Sequence, residues 1–114
     1  MKFDKGLIAG SSTLLVLTLL ESGDIYGYQM IEELSRRSND AFQFQEGTLY
    51  PILHSLEERG EVRSYEREST AGRLRRYYQL TRQGVKTLAR CRREWEKFCK
   101  SFGKVVGGEA CVTK

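Results

Sequence analysis

Gln45-Glu46-Gly47-Thr48-Leu49-Tyr50-Pro51-Ile52-Leu53-His54-Ser55-Leu56-Glu57-Glu58-Arg59-Gly60 is the stretch that decides how this chain folds. Leu49, Ile52, Leu53 and Leu56 recur at i, i+3, i+4 and i+7, the spacing that gathers apolar side chains along one side of an α-helix. Gly47, Thr48, Tyr50, Pro51, His54 and Ser55 are left for the other surface, and Gly60 supplies a C-terminal stop. A short helix with small and polar groups crowded at its start has the dimensions of an object that enters a groove.

Beyond Gly60 the period changes from 3.6 to 2. Val62, Ser64 and Glu66 alternate with Arg63, Tyr65 and Arg67, a polar Glu68-Ser69-Thr70-Ala71-Gly72 turn follows, and residues 75–80 return as the second strand of a hairpin. The run Arg73-Leu74-Arg75-Arg76-Tyr77-Tyr78 makes that hairpin a basic ribbon. Alternation places Arg75 with Tyr77 on one face and Arg76 with Tyr78 on the other, so the three arginines cannot share a partner surface. Arg73 at the tip, then Arg75, are the candidates to meet a polyanion, whereas Arg76 has Glu66 or Glu61 within reach as an ion-pair partner.

Upstream, the pattern predicts a first helix from Ser11 or Ser12 to Glu21 with a serine N-cap, apolar on nearly every side and therefore buried. A second helix follows Tyr26-Gly27-Tyr28, with Met30, Ile31 and Leu34 inward, and ends at Asn39-Asp40. Phe42 and Phe44 fill the core between helices two and three. Downstream, Thr81 caps a long helix in which Leu88, Cys91, Trp95, Phe98, Phe102 and Val105 step by 3 and 4, a coiled-coil-like seam. Pro51 is expected in the first turn of its helix, where the missing N–H does little harm.

A chain of 114 residues is one domain in size, and 39% hydrophobic residues suggests that an interface with a second copy completes the core. Nine of the 19 lysines and arginines fall between Arg67 and Arg93, a local basic surface suited to a polyanion. Cys91, Cys99 and Cys111 are odd in number, form no CxxC pair and accompany a single histidine. That argues for a reducing, cytoplasmic setting and against a zinc module, with Cys91 and Cys99 as small hydrophobic helix residues. Lys2 and Lys5 ahead of Leu14–Leu20 imitate a signal peptide. Asp4, Glu21 and the absence of a small-x-small cleavage site argue against one, and the run is too short to span a bilayer.

Helix, helix, helix, hairpin, long helix is the order of a winged helix-turn-helix protein with an added dimerisation helix: mainly α, with a small β-hairpin. The motifs Tyr26-Gly27-Tyr28, Gly47-Thr48-Leu49-Tyr50-Pro51, Leu56-Glu57-Glu58-Arg59-Gly60 and Gly72-Arg73 through Arg76-Tyr77-Tyr78-Gln79-Leu80-Thr81 before Gly84 resemble the PadR family of bacterial transcriptional regulators. The resemblance runs from about Gly6 to Phe102, and the brevity of the chain resembles the branch with a short C-terminal region. It implies a winged helix-turn-helix over residues 1–80 and a dimerisation helix over 81–106, while the patternless stretch from Gly107-Gly108 onward reads as a mobile tail over 107–114.

On that reading the partner is double-stranded DNA. Thr48, Tyr50, Pro51 and His54 occupy the recognition face toward the major groove, Tyr28 and Gln29 touch phosphates, and Arg73 and Arg75 serve the wing. For Tyr50 the competing role is that of a half-buried packing residue. A homodimer would present two recognition helices to an inverted repeat with half-sites about one turn, roughly 10 bp, apart. In some short members of the family an aromatic in the last helix lines a pore between protomers and stacks on flat hydrophobic compounds. Trp95 stands at that place, with Phe98, Leu17 and Val16 as expected neighbours and Leu88 and Phe102 along the seam, which leaves core packing and sensing of a small aromatic effector both open. The sequence offers no nucleophile–base motif, phosphate loop or metal-ligand spacing, so neither an enzyme nor a cofactor is expected. No aromatic platform for RNA stands out either. A winged-helix protein-interaction module without DNA contacts is the remaining alternative.

Overall fold

The computed structural model describes residues 5–107 of the chain. In order, the elements are α1 (Lys5–Glu21), β1 (Ile25–Tyr26), α2 (Gly27–Arg37), α3 (Glu46–Glu58), β2 (Val62–Glu68), β3 (Leu74–Leu80) and α4 (Arg82–Val106). The strands form one antiparallel sheet in the order β1-β3-β2. Tyr65 faces Tyr77 and Glu66 faces Arg76 across the hairpin, while Ile25 and Tyr26 pair with Tyr78 and Tyr77. Four helices with a small winged sheet are the fold that the sequence pattern predicted.

Two helix boundaries differ from expectation. Helix α1 begins at Lys5, so Ser11 and Ser12 lie inside it and neither is its N-cap. A serine caps only where the preceding backbone leaves helical geometry, and here the helix simply continues upstream. Helix α3 begins at Glu46, which makes Pro51 its sixth residue and not part of the first turn. Proline in that second turn removes the bond to the carbonyl four residues back and crowds it. That residue is Gly47, whose lack of a side chain and exposed position make the crowding tolerable. The Ile25–Tyr26 strand was absent from the sequence reading because two residues carry no periodicity.

Val16, Leu17, Leu19 and Leu20 of α1, Met30 and Leu34 of α2, and Leu49, Leu53 and Leu56 of α3 form one core with Phe44, Val62, Tyr78 and Leu88. Phe42 packs at its margin. The α2–α3 connection turns through Asn39 and Asp40, both in the left-handed region at φ 51° and 65°, which short polar side chains tolerate better than most. Tyr50 lies over Gly27, the first residue of α2, where a Cβ would collide with its hydroxyl.

Helix α3 ends in a Schellman motif. The Glu61 N–H bonds to the Leu56 carbonyl at 2.9 Å and the Gly60 N–H to Glu57 at 3.0 Å, with Gly60 at φ +75°. Glu61 is then buried. Its carboxylate accepts the Thr87 hydroxyl of α4 at 2.6 Å and the Arg59 Nε–H at 3.0 Å. Thr81, capping α4, accepts from the Gly84 N–H at 3.0 Å and donates to the Gly60 carbonyl at 2.6 Å. A second clamp joins α1 to α4, where both Arg92 terminal nitrogens donate to Glu21 at 2.7 and 2.9 Å. Those two side chains are about half exposed, so the pair contributes roughly 1 kcal/mol or less.

At Gly84 a side chain would run into the Glu61 carbonyl oxygen, which is backbone and cannot move aside. Gly84→Ala should therefore destabilise the fold by about 2–3 kcal/mol despite its better helix propensity. Urea unfolding followed by circular dichroism would measure it, and an unchanged midpoint would show that the joint is not rigid.

Candidate nucleic-acid interface

The exposed stripe of α3 consists of Gly47, Thr48, Pro51 and His54, opposite the buried Leu49, Leu53 and Leu56. Thr48, Pro51 and His54 step by 3, and Gly47 lies 4 before Pro51, so the four share one broad side of the helix. Tyr50 stands apart from them. It is half-buried against the core with its hydroxyl at Gly27.

Tyr28, at the start of α2, is 53% exposed. The Gln29 Oε1 accepts the Tyr26 N–H at 3.4 Å, which turns that side chain back to its own helix start. Arg73 is exposed at the end of the hairpin turn, where its N–H bonds to the Ser69 hydroxyl oxygen at 3.2 Å.

The hairpin arginines divide as alternation requires. Arg76 donates to Ser64 Oγ at 2.9 Å, and the Ser64 hydroxyl donates to Glu57 of α3 at 2.7 Å. Among the described residues Arg76 forms no ion pair with Glu66 or Glu61, the alternative weighed for it; Glu61 is engaged by Arg59 instead. Arg75 is half-buried on the opposite face, 4.7 Å above the Tyr26 ring. Arg67, which the sequence reading did not single out, lies 4.1 Å above the Tyr77 ring. Its placement beside Tyr65 on one face of the strand was the available signal.

On the same face the Tyr65 hydroxyl donates to Asp24, which pushes the Tyr65 phenol above its usual range. On α2, Arg36 and Arg37 both donate to Glu33 and hold its carboxyl down at about 2. Hydrogen bonds from Arg92 lower Glu21 as well.

The predicted α4 seam is split. Leu88 is buried in the protomer core together with Val16 and Leu17. Trp95, Phe98 and Phe102 are 37%, 56% and 46% exposed. Their rings stack in sequence at 5.9 and 5.6 Å. Cys91, a half-buried free thiol, lies between the buried Leu88 and the exposed row. The expected tail lies outside the described residues after Gly107.

Residues 16–90 match the Transcriptional regulator PadR-like family. The chain belongs to that family. A transcriptional regulator of Mycobacterium tuberculosis is 36% identical over 87 residues, covering 76% of this chain and 75% of that protein. A protein of Lysinibacillus sphaericus is 34% identical over 89 residues, 78% of this chain and 82% of the other. Among solved structures, a transcriptional regulator from Clostridium thermocellum superposes with a TM-score of 0.81 at 32% identity, over 88% of this chain and 97% of that one. A PadR family regulator from Eggerthella lenta gives 0.79 at 27% identity, over 90% and 87%. This PadR-like chain is thus a transcriptional regulator and not an enzyme. Among the described residues no helix is long and apolar enough to cross a membrane.

The Glu33 carboxyl should titrate near 2 in a carbon-detected NMR experiment, and Arg36→Ala or Arg37→Ala should return it toward 4.5. Because the folded value lies below the unfolded one, the stabilisation is complete above about pH 4.5 and disappears as pH falls toward 2. A value near 4.5 in the unmodified protein would refute the grip.

Proposed function

We propose that this regulator is a homodimeric, sequence-specific DNA-binding repressor that acts in the cytoplasm on an inverted-repeat operator. The observation that carries the reading is the division of labour along α3. Its buried line makes the core while Thr48 in the first turn, Pro51 in the second and His54 beyond it stand exposed with no packing duty. Thr48 suits a phosphate or a thymine methyl, and His54 a base edge or phosphate. Tyr28 at the α2 N-terminus and Arg73 on the wing supply backbone contacts on either side, and Arg75 adds charge. Tyr50 and Gln29 support these contacts from behind.

Residues 1–80 act as the DNA-binding unit, 81–106 as the dimerisation helix and 107–114 as a tail. The stacked Trp95, Phe98 and Phe102 row, large and apolar in one protomer, is the surface for the second copy. Flat aromatic side chains at a two-fold interface also suit a small planar aromatic effector, whose binding would alter the spacing of the recognition helices.

Titration of the protein against DNA from upstream of its own gene, in a mobility-shift assay with random competitor, tests the reading. Thr48→Ala and Arg73→Ala should each weaken operator binding by about tenfold in a folded dimer, with Thr48→Ala eroding sequence preference more. Binding no tighter than to random DNA would favour the interaction-module alternative. In sedimentation, Trp95→Asp with Phe98→Asp should convert dimer to monomer; an unaltered dimer would move the interface elsewhere.

A further inference from the structure

Arg67 and Arg75 stand directly opposite each other on β2 and β3. Side chains at such positions begin about 5 Å apart, and two like charges there repel. Among the described residues neither arginine has an ion-pair partner. Asp24 nearby already accepts the Tyr65 hydroxyl and, at 3.2 Å, the Gln79 amide. The Arg75 Nε–H is buried with no acceptor at all.

What holds the two cations is aromatic. Arg67 rests on Tyr77 and Arg75 on Tyr26, and the rings form one row. Tyr65 stacks on Tyr77 at 5.8 Å, and Tyr77 meets Tyr26 edge-on at 5.4 Å. Stacking fixes each guanidinium without neutralising it. Tyr26 also immediately precedes α2, so Arg75 lies beside the positive end of that helix.

We propose that Arg67 and Arg75 form a paired seat for one backbone phosphate of duplex DNA, a contact that positions the protein without reading sequence. The proposal rests on the DNA-binding reading above. A phosphate between the guanidiniums removes their repulsion and accepts from the terminal N–H groups of both planar donors at once. It also joins wing and α2 on the same strand, because the seat and the α2 N-terminus are adjacent. Arg73 then stays free to reach past the tip.

The test compares Arg67→Met, Arg75→Met, the double variant and Arg93→Met, a control on the exposed surface of α4. Binding to operator and to random duplex is measured across a salt series, and each free protein is melted without DNA. Each wing variant should lower the salt slope by about one and weaken binding roughly eightfold at about 0.1 M salt, equally for both DNAs. Its melting temperature should not fall, since a repulsion is relieved; Arg93→Met should leave the slope unchanged. An unchanged slope with a lowered melting temperature would overturn the seat and leave the arginines as lids over the tyrosines. A control that loses as much slope as the wing variants would overturn it too, in favour of net charge alone. Wild-type protein lacking salt-sensitive binding to either DNA would remove the DNA-binding reading itself, and the seat with it.

Discussion

The buried Glu61 carboxylate is the contact on which the arrangement of this molecule depends. It sits immediately after the Schellman turn that ends α3, accepts a hydrogen bond from Thr87 one turn into α4, and is held by Arg59 from the α3 side. The Thr81 hydroxyl bonds to the carbonyl of Gly60, and Gly84 closes over the Glu61 backbone without a side chain to separate them. The helix proposed to face DNA and the helix proposed to pair protomers are therefore joined through a few polar atoms, the Glu61–Thr87 contact among them buried. Buried polar groups of this kind tolerate little displacement, because each loses its partner before it gains water. The orientation of α3 relative to α4 is thus fixed more firmly than either helix end alone would achieve.

Much of this was legible in the sequence because it repeats. The four apolar positions of α3 recur with helical period, Gly60 and Thr81 carry standard stop and start chemistry, and the hairpin alternates cleanly from Val62 onward. Asn39 and Asp40 marked the end of α2 for a reason the backbone bears out, since both adopt left-handed geometry. The features that escaped are those set by contacts distant in sequence. The Ile25–Tyr26 strand exists only because β3 offers it an edge. Ser11 looked like a start signal because nothing local distinguishes a capping serine from one inside a helix. The spacing of Leu88 through Val105 is regular, yet regularity cannot say that the sheet and α1 cover its beginning and leave Trp95, Phe98 and Phe102 open.

The candidate site was legible in kind and less so in detail. Residue type and helix position pointed to Thr48, His54 and Arg73, and all three side chains are exposed, as a contact residue must be. Tyr50 and Gln29 share the same neighbourhood but are turned inward, one by a glycine that admits its ring and the other by an open backbone N–H at the start of α2. Arg67 was hidden among other basic residues; only its stacking on Tyr77 and its register with Arg75 distinguish it.

The separation of duties on α3 has a bearing on how such a protein can diverge. Leu49, Leu53 and Leu56 fix the helix in the core, Tyr50 fixes its angle to α2, and the Schellman turn fixes its end. Thr48 and His54 carry none of these obligations. Exchanges at those two positions leave the folding free energy nearly untouched, so on the proposed reading a duplicated copy can explore new operators by single steps without first acquiring compensating changes elsewhere.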